Sequence, residues 1–274
     1  MPELPLSEIV ALLVAVVAAG LFGGLIAGLF GVGGGTVIVP ALFYAFSVLG
    51  LGGESNLHVA VGTSLMTIVA TALRSLSAHR AHGAVDEAAL RAWTPWIGIG
   101  ALIGAAVAGF TPMGGLAIVY GACLAVVAAQ MGLLPERFVL SKDLPTGWLR
   151  RGFGLLIGGL SAMMGVGGGS LGGMMMTLCG RPIHQAVATA SGFGVAIGSA
   201  AMVGFIVFGW DAPGRPPLSL GYVNVPAAII MGLLTTLVAP WGAKLAHRLD
   251  RRTLRRAFAV YLLVTAGLVM AKAL

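Results

Sequence analysis

The sequence predicts an all-α polytopic membrane protein made of two inverted repeats of about five segments each, with broken helices at Gly-rich motifs. Three observations carry this expectation: the composition, a repeated glycine motif and the placement of the basic residues. Hydrophobic residues make up 58% of the 274-residue chain, charged residues only 9%, and the mean hydropathy is +0.99. A soluble domain carries roughly a quarter charged residues to cover its surface. Most of this surface must therefore face something other than water.

Apolar runs recur from end to end, at about 8–30, 36–50, 57–76, 93–110, 113–133, 149–164, 170–180, 184–208, 222–243 and 255–273. Most approach the roughly 20 residues that span a bilayer as helix. Two, 36–50 and 170–180, are too short to do so alone. The N-terminal MPELPLSEIV carries Glu3 and Glu8 in place of the basic start of a signal peptide, so the first run is read as a retained transmembrane segment. Cys123 and Cys179 fall inside apolar runs, without metal spacing or a disulfide framework.

Each short segment follows the same pentapeptide, Gly-Val-Gly-Gly-Gly, at 31–35 and 165–169. The echo extends outward: GGLIAGLFGVGGGT matches IGGLSAMMGVGGGS, and HVAVGTS at 58–64 matches HQAVATA at 184–190. The offsets are 134 and 126 residues, so the second copy has lost about eight between the two blocks. The chain reads as a duplication, with a first repeat over 1–140 and a second over 141–274, forming one membrane domain.

The net charge of +7 could suggest nucleic acid, but the basic residues sit in short loops between apolar runs. With ten crossings and both termini outside, 14 of the 16 Lys and Arg residues lie on the inner side, leaving Arg215 and Lys272 outside. That is the positive-inside distribution, and it argues against a nucleic-acid partner. Five crossings per half is an odd number, so the halves are inverted, the arrangement of many secondary transporters. Merging each short segment with its neighbour would give four crossings and parallel repeats, but would lose the 14-to-2 split.

Three glycines in a row cost a helix up to about 1 kcal/mol per residue. A break is therefore expected at each motif, with the helix resuming at Thr36 or Ser170, both N-cap types. Unwound backbone at membrane depth must be buried or line a cavity, and a resumed helix points free N–H groups and its positive end there. Two such ends would form an anion site. Its candidate residues are Gly33, Gly34, Gly35, Thr36, Thr63 and Ser64 in the first repeat, with Gly167, Gly168, Gly169, Ser170, Thr189 and Ser191 in the second. Gly20, Gly24, Gly28, Gly100 and Gly104 instead follow the spacing of close helix packing.

No Asp, Glu, Lys or Arg lies in the middle of any run, which removes the usual ion relay of a coupled pump. His58 and His184, at matching repeat positions, are the remaining candidates for proton coupling, although each begins a segment and suits a solvated cap. The methionines at 163, 164 and 174–176 are expected to fill gaps beside the glycines. Metal ligands, cofactor motifs and a catalytic set are absent, so no metal, cofactor or intramembrane enzyme is expected.

GLIAGLFGVGGGTVIVPALF, AVGTSL and AHRAHGAVD, with SAMMGVGGGS in the second half, resemble the TauE/SafE sulfite and sulfonate exporter family. The resemblance covers nearly the whole chain. It implies a carrier for sulfite, organosulfonates or related anions in a bacterial inner membrane. A channel-like facilitator and a proton-coupled carrier of other organic anions are the alternatives. One departure is that Met174 stands where the first copy has Pro40, so the two short helices need not be equivalent. Oligomeric state has no signature in the sequence.

Overall fold

Ten α-helices, one 3-10 turn and a two-residue hairpin make up the described residues of the computed structural model, 6–30, 34–51, 53–133, 139–246 and 251–274. The helices of the first half are α1 (Leu6–Phe30), α2 (Gly35–Val48), α3 (Asn56–Ala81), α4 (Glu87–Phe110) and α5 (Met113–Leu133). Those of the second are α6 (Gly147–Met164), α7 (Leu171–Leu178), α8 (Ile183–Phe208), α9 (Val225–Ala246) and α10 (Arg251–Ala273). The strands β1 (Ser219–Leu220) and β2 (Val223–Asn224) pair antiparallel just before α9.

Among the described residues, α3, α4, α5, α8, α9 and α10 are long and apolar enough to cross a membrane. α2 and α7 have 14 and 8 residues, about 21 and 12 Å of helix. Neither covers a hydrocarbon core of roughly 30 Å.

Local chemistry sets the boundaries near the glycine motifs. α6 ends in a Schellman motif: the Gly165 N–H donates to Ala162 O at 3.1 Å and the Val166 N–H to Ser161 O at 3.0 Å. This requires the left-handed Gly165, at φ +64°. The expected break is therefore present in the second copy. In the first, α2 starts earlier than expected, with Gly34 rather than Thr36 at the N-cap. The Gly34 carbonyl already accepts from Val37 and Ile38 at 3.1 and 2.8 Å, which places Thr36 inside the first turn. Ser170 does occupy the N-cap of α7, but its hydroxyl makes no capping bond.

Glycines let the helix pairs approach backbone to backbone. A Cβ on Gly154 would strike Cβ of Trp96, one on Gly100 the backbone of Leu155 and one on Gly104 that of Gly159. Gly24 sits likewise on the backbone of Thr235, while Gly20 packs on the side chains of Met231 and Leu234. Residue numbers rise together across these contacts, so α4 runs parallel to α6 and α1 parallel to α9. α3 and α8 cross antiparallel, with Gly62 against Phe205, Gly198 against Leu65 and Gly192 against Leu76. α4 runs parallel to α8 through Ala105 with Gly204 and Gly109 with Phe208, and α3 parallel to α9 through Thr63 with Asn224, directly before α9, and Thr67 with Ala228. α5 and α10 pair antiparallel, Gly121 meeting Met270 and Gly132 meeting Ala259. Met163, Met164 and Met176 are buried in the core beside the second motif, in the gap-filling role expected of them.

Candidate functional site

The two glycine segments touch each other. A Cβ on Gly35 would lie 2.5 Å from Gly165 O and 2.8 Å from Val166 Cα, so only glycine permits this approach. The Ser64 hydroxyl donates to Gly165 O at 2.8 Å and fixes the segment to α3. Ser64 is the ninth residue of α3, about 12 Å along it. Gly168 packs on Ala190, Phe193 and Gly194, and Ala190 lies about 11 Å along α8. The second motif thus crosses the middle of the bundle.

Near this junction, Thr36 Oγ1, Ser161 Oγ and Ser170 Oγ are buried and have no hydrogen-bond partner among the described residues, their residues being at most 4% exposed. Leaving a buried polar group unsatisfied costs about 1–3 kcal/mol. Thr36 stands in the first turn of α2, Ser170 at the N-cap of α7 and Ser161 in the last turn of α6, each able to donate to a hydrogen-bond acceptor. Ser161 was not anticipated, because its counterpart in the first copy is Ala27 and no echo marks it.

The other expected residues are used differently. Thr63 Oγ1 accepts the Asn224 backbone N–H at 2.9 Å, and Thr189 Oγ1 accepts the Asp86 backbone N–H at 2.9 Å. Ser191 donates within its own helix to Ala188 O at 2.6 Å. Gly34 faces Ile38, Gly167 packs near Ile68, and Gly169 is half-buried. Gly33 lies outside the described residues.

The histidines are not brought together. His58 Nε2 lies 3.1 Å from Ala108 O and 2.9 Å from Thr111 O. Both are carbonyls, so this nitrogen carries the proton and donates. The ring also stacks on Tyr222, with centroids 4.9 Å apart. His184 is exposed near the start of α8, at the opposite end of the bundle.

Two further residues escaped the sequence reading. Asp86 caps α4 by accepting the Ala89 N–H at 3.0 Å, and Asn224 caps α9 by accepting the Ala227 N–H at 3.0 Å. A signal was available: GAVD at 83–86 is echoed by GYVN at 221–224, both before a helix and both opening on a glycine with positive φ.

A model of the family described as sulfite exporter TauE/SafE matches residues 16–269. The chain is 31% identical over 247 residues to a probable membrane transporter protein of Haemophilus influenzae, covering 90% of this chain and 94% of that one. It is 41% identical over 73 residues to the probable membrane transporter protein YunE of Bacillus subtilis, 27% of each chain. No solved structure matches it. With the family match spanning nearly every helix and a transporter relative aligned along almost its full length, this multi-pass membrane transporter belongs to the TauE/SafE sulfite exporter family.

Proposed function

We propose that this transporter exports small sulfur-containing anions, such as sulfite or organosulfonates, across a bacterial inner membrane by alternating access between inverted repeats at 1–140 and 141–274. The observation that carries the site is the set of buried hydroxyls of Thr36, Ser161 and Ser170, without a partner among the described residues, near the contact between Gly35 and Gly165. An oxyanion accepts hydrogen bonds from hydroxyls and from the free N–H groups of a helix start.

Direction supports inversion. α1 is parallel to α9, α9 to α3, and α3 is antiparallel to α8; α8 is parallel to α4, and α4 to α6. Followed through, α1 and α6 run in opposite senses although each opens its own half. The helix pairing also survives exchange of the halves: α1 with α9 answers to α6 with α4, and α3 with α9 to α8 with α4. The paired ties of Thr63 to Asn224 and Thr189 to Asp86 obey the same exchange. Both termini then face outward, as the basic residues require.

An inside-negative potential drives each negative charge outward by about 2.3 kcal/mol per 100 mV. Transport is therefore proposed to be electrogenic and independent of sodium. In proteoliposomes with a potassium–valinomycin potential, sulfite or isethionate efflux should accelerate when the loaded interior is made negative. Flux that ignores potential and follows a pH gradient would replace this reading with proton coupling through His58 or His184.

A further inference from the structure

The two ends of the bundle carry the same tie with one chemical difference. At one end the Asn224 N–H donates to Thr63 and its Oδ1 caps α9; at the other the Asp86 N–H donates to Thr189 and its Oδ1 caps α4. Asn and Asp cap helices about equally well, so the fold does not need a charge at either place. Asn224 spends its remaining polar capacity on Pro217 O at 2.9 Å and Ser219 Oγ at 3.1 Å. Asp86 directs its second oxygen, Oδ2, towards Arg181 Nε at 3.6 Å.

That contact is loose. Charge-assisted N–H···O bonds run at about 2.7–2.9 Å, and the Arg181 side chain makes no hydrogen bond among the described residues, its buried Nε included. Arg181 lies in the turn joining α7 to α8, at the far end of α7 from Ser170. The Asp86 side chain is 14% exposed and that of Arg181 37% exposed, so the guanidinium is the more open partner.

We propose that Arg181 receives the anion at the inner mouth and that Asp86 holds that mouth shut until the anion takes its place. The inference rests on the export reading, which supplies the charge of the cargo and the identity of the inner end. A contact of 3.6 Å, longer than a hydrogen bond and made to a partly exposed guanidinium, holds the pair weakly. A sulfonate or sulfite group presents two or three oxygens to the planar fork, in the bidentate manner that arginine favours. Once Arg181 turns to the anion, the seam between α4 and the α7–α8 turn keeps the Thr189 tie but loses its charge pair.

Cys179, at the end of α7 two residues before Arg181 and 7% exposed, is a native label site next to the pair. The test is alkylation of Cys179 by N-ethylmaleimide, read by mass spectrometry, alongside the KM for efflux of isethionate or sulfite from vesicles. D86N keeps the cap and the Thr189 tie and removes only the charge pair. It should raise the Cys179 alkylation rate about two- to fivefold, the shift that loss of a weak pair allows. R181Q should raise it similarly. The two must part on KM: D86N lowers it or leaves it, whereas R181Q raises it. Unchanged labelling in D86N, or a KM moved in the same direction by both variants, overturns the proposal and makes the pair structural. Wild-type vesicles that move neither anion would instead defeat the export reading, and the receiving role with it. The labelling would still decide whether the pair is a latch.

Discussion

The Ser64 hydroxyl donates to the Gly165 carbonyl at 2.8 Å, joining residues 101 positions apart at the centre of the bundle. The position that echoes Ser64 in the second half is Ala190, so this bond has no twin. Ser64→Ala would leave a buried carbonyl unpaired next to the left-handed Gly165. The expected loss of stability is roughly 1–3 kcal/mol, visible as a lower thermal midpoint in detergent. An unchanged midpoint would mean that the second glycine segment does not depend on this tie.

The glycines of the two motifs should not respond alike to added bulk. Cβ atoms at Gly168 would meet Ala190 O at 2.5 Å and Gly194 N at 2.7 Å, both backbone. At Gly34 the neighbour is Ile38 Cδ1 at 2.7 Å, the tip of a side chain that can rotate away. Gly168→Ala is expected to cost about 1–3 kcal/mol or more through overpacking, and Gly35→Ala should behave the same way. Gly34→Ala should give wild-type yields of monodisperse protein. Equal yields from all three would show that the close approach is not required.

Sidedness can be read with introduced cysteines. Ser55 is an unsuitable position, being buried and bonded to Pro213 O at 3.0 Å. Glu54 and Asp211 are exposed at the same end of the bundle, and Ser141 is exposed at the other. In intact cells an impermeant thiol reagent should modify cysteines at 54 and 211 and spare one at 141. Labelling at 141 alone would invert the proposed topology.

The helices were legible in the sequence because hydropathy in a membrane protein is nearly a direct record of depth. Where boundaries moved, polar chemistry moved them. α4 begins at Glu87 rather than near 93, because its first turn is built on the Asp86 cap and carries charge at its solvent end. α3 runs on to Ala81 through Ser77, His79 and Arg80, residues that an apolar window discards. Residues 222–224 belong to the turn and second strand of a hairpin too short to leave a pattern. Within the site, the break at the second motif and the N-cap position of Ser170 follow from the motif itself. The roles of Thr63, Thr189 and His58 do not. A hydroxyl or an imidazole reads the same whether it meets a ligand or the backbone of a distant loop, and only the fold tells which.

The broad helix pairs, α1 with α9, α4 with α6, α4 with α8, α3 with α8 and α5 with α10, each join a helix made early in synthesis to one made late. When α5 leaves the ribosome, the glycine faces of α1 and α4 have not yet met the helices they fit. The early helices must wait in the lipid with those faces unoccupied, and assembly completes only when α9 and α10 arrive. Truncations near the C-terminus should therefore be cleared by quality-control proteases as whole chains, because no self-sufficient half is left to survive them.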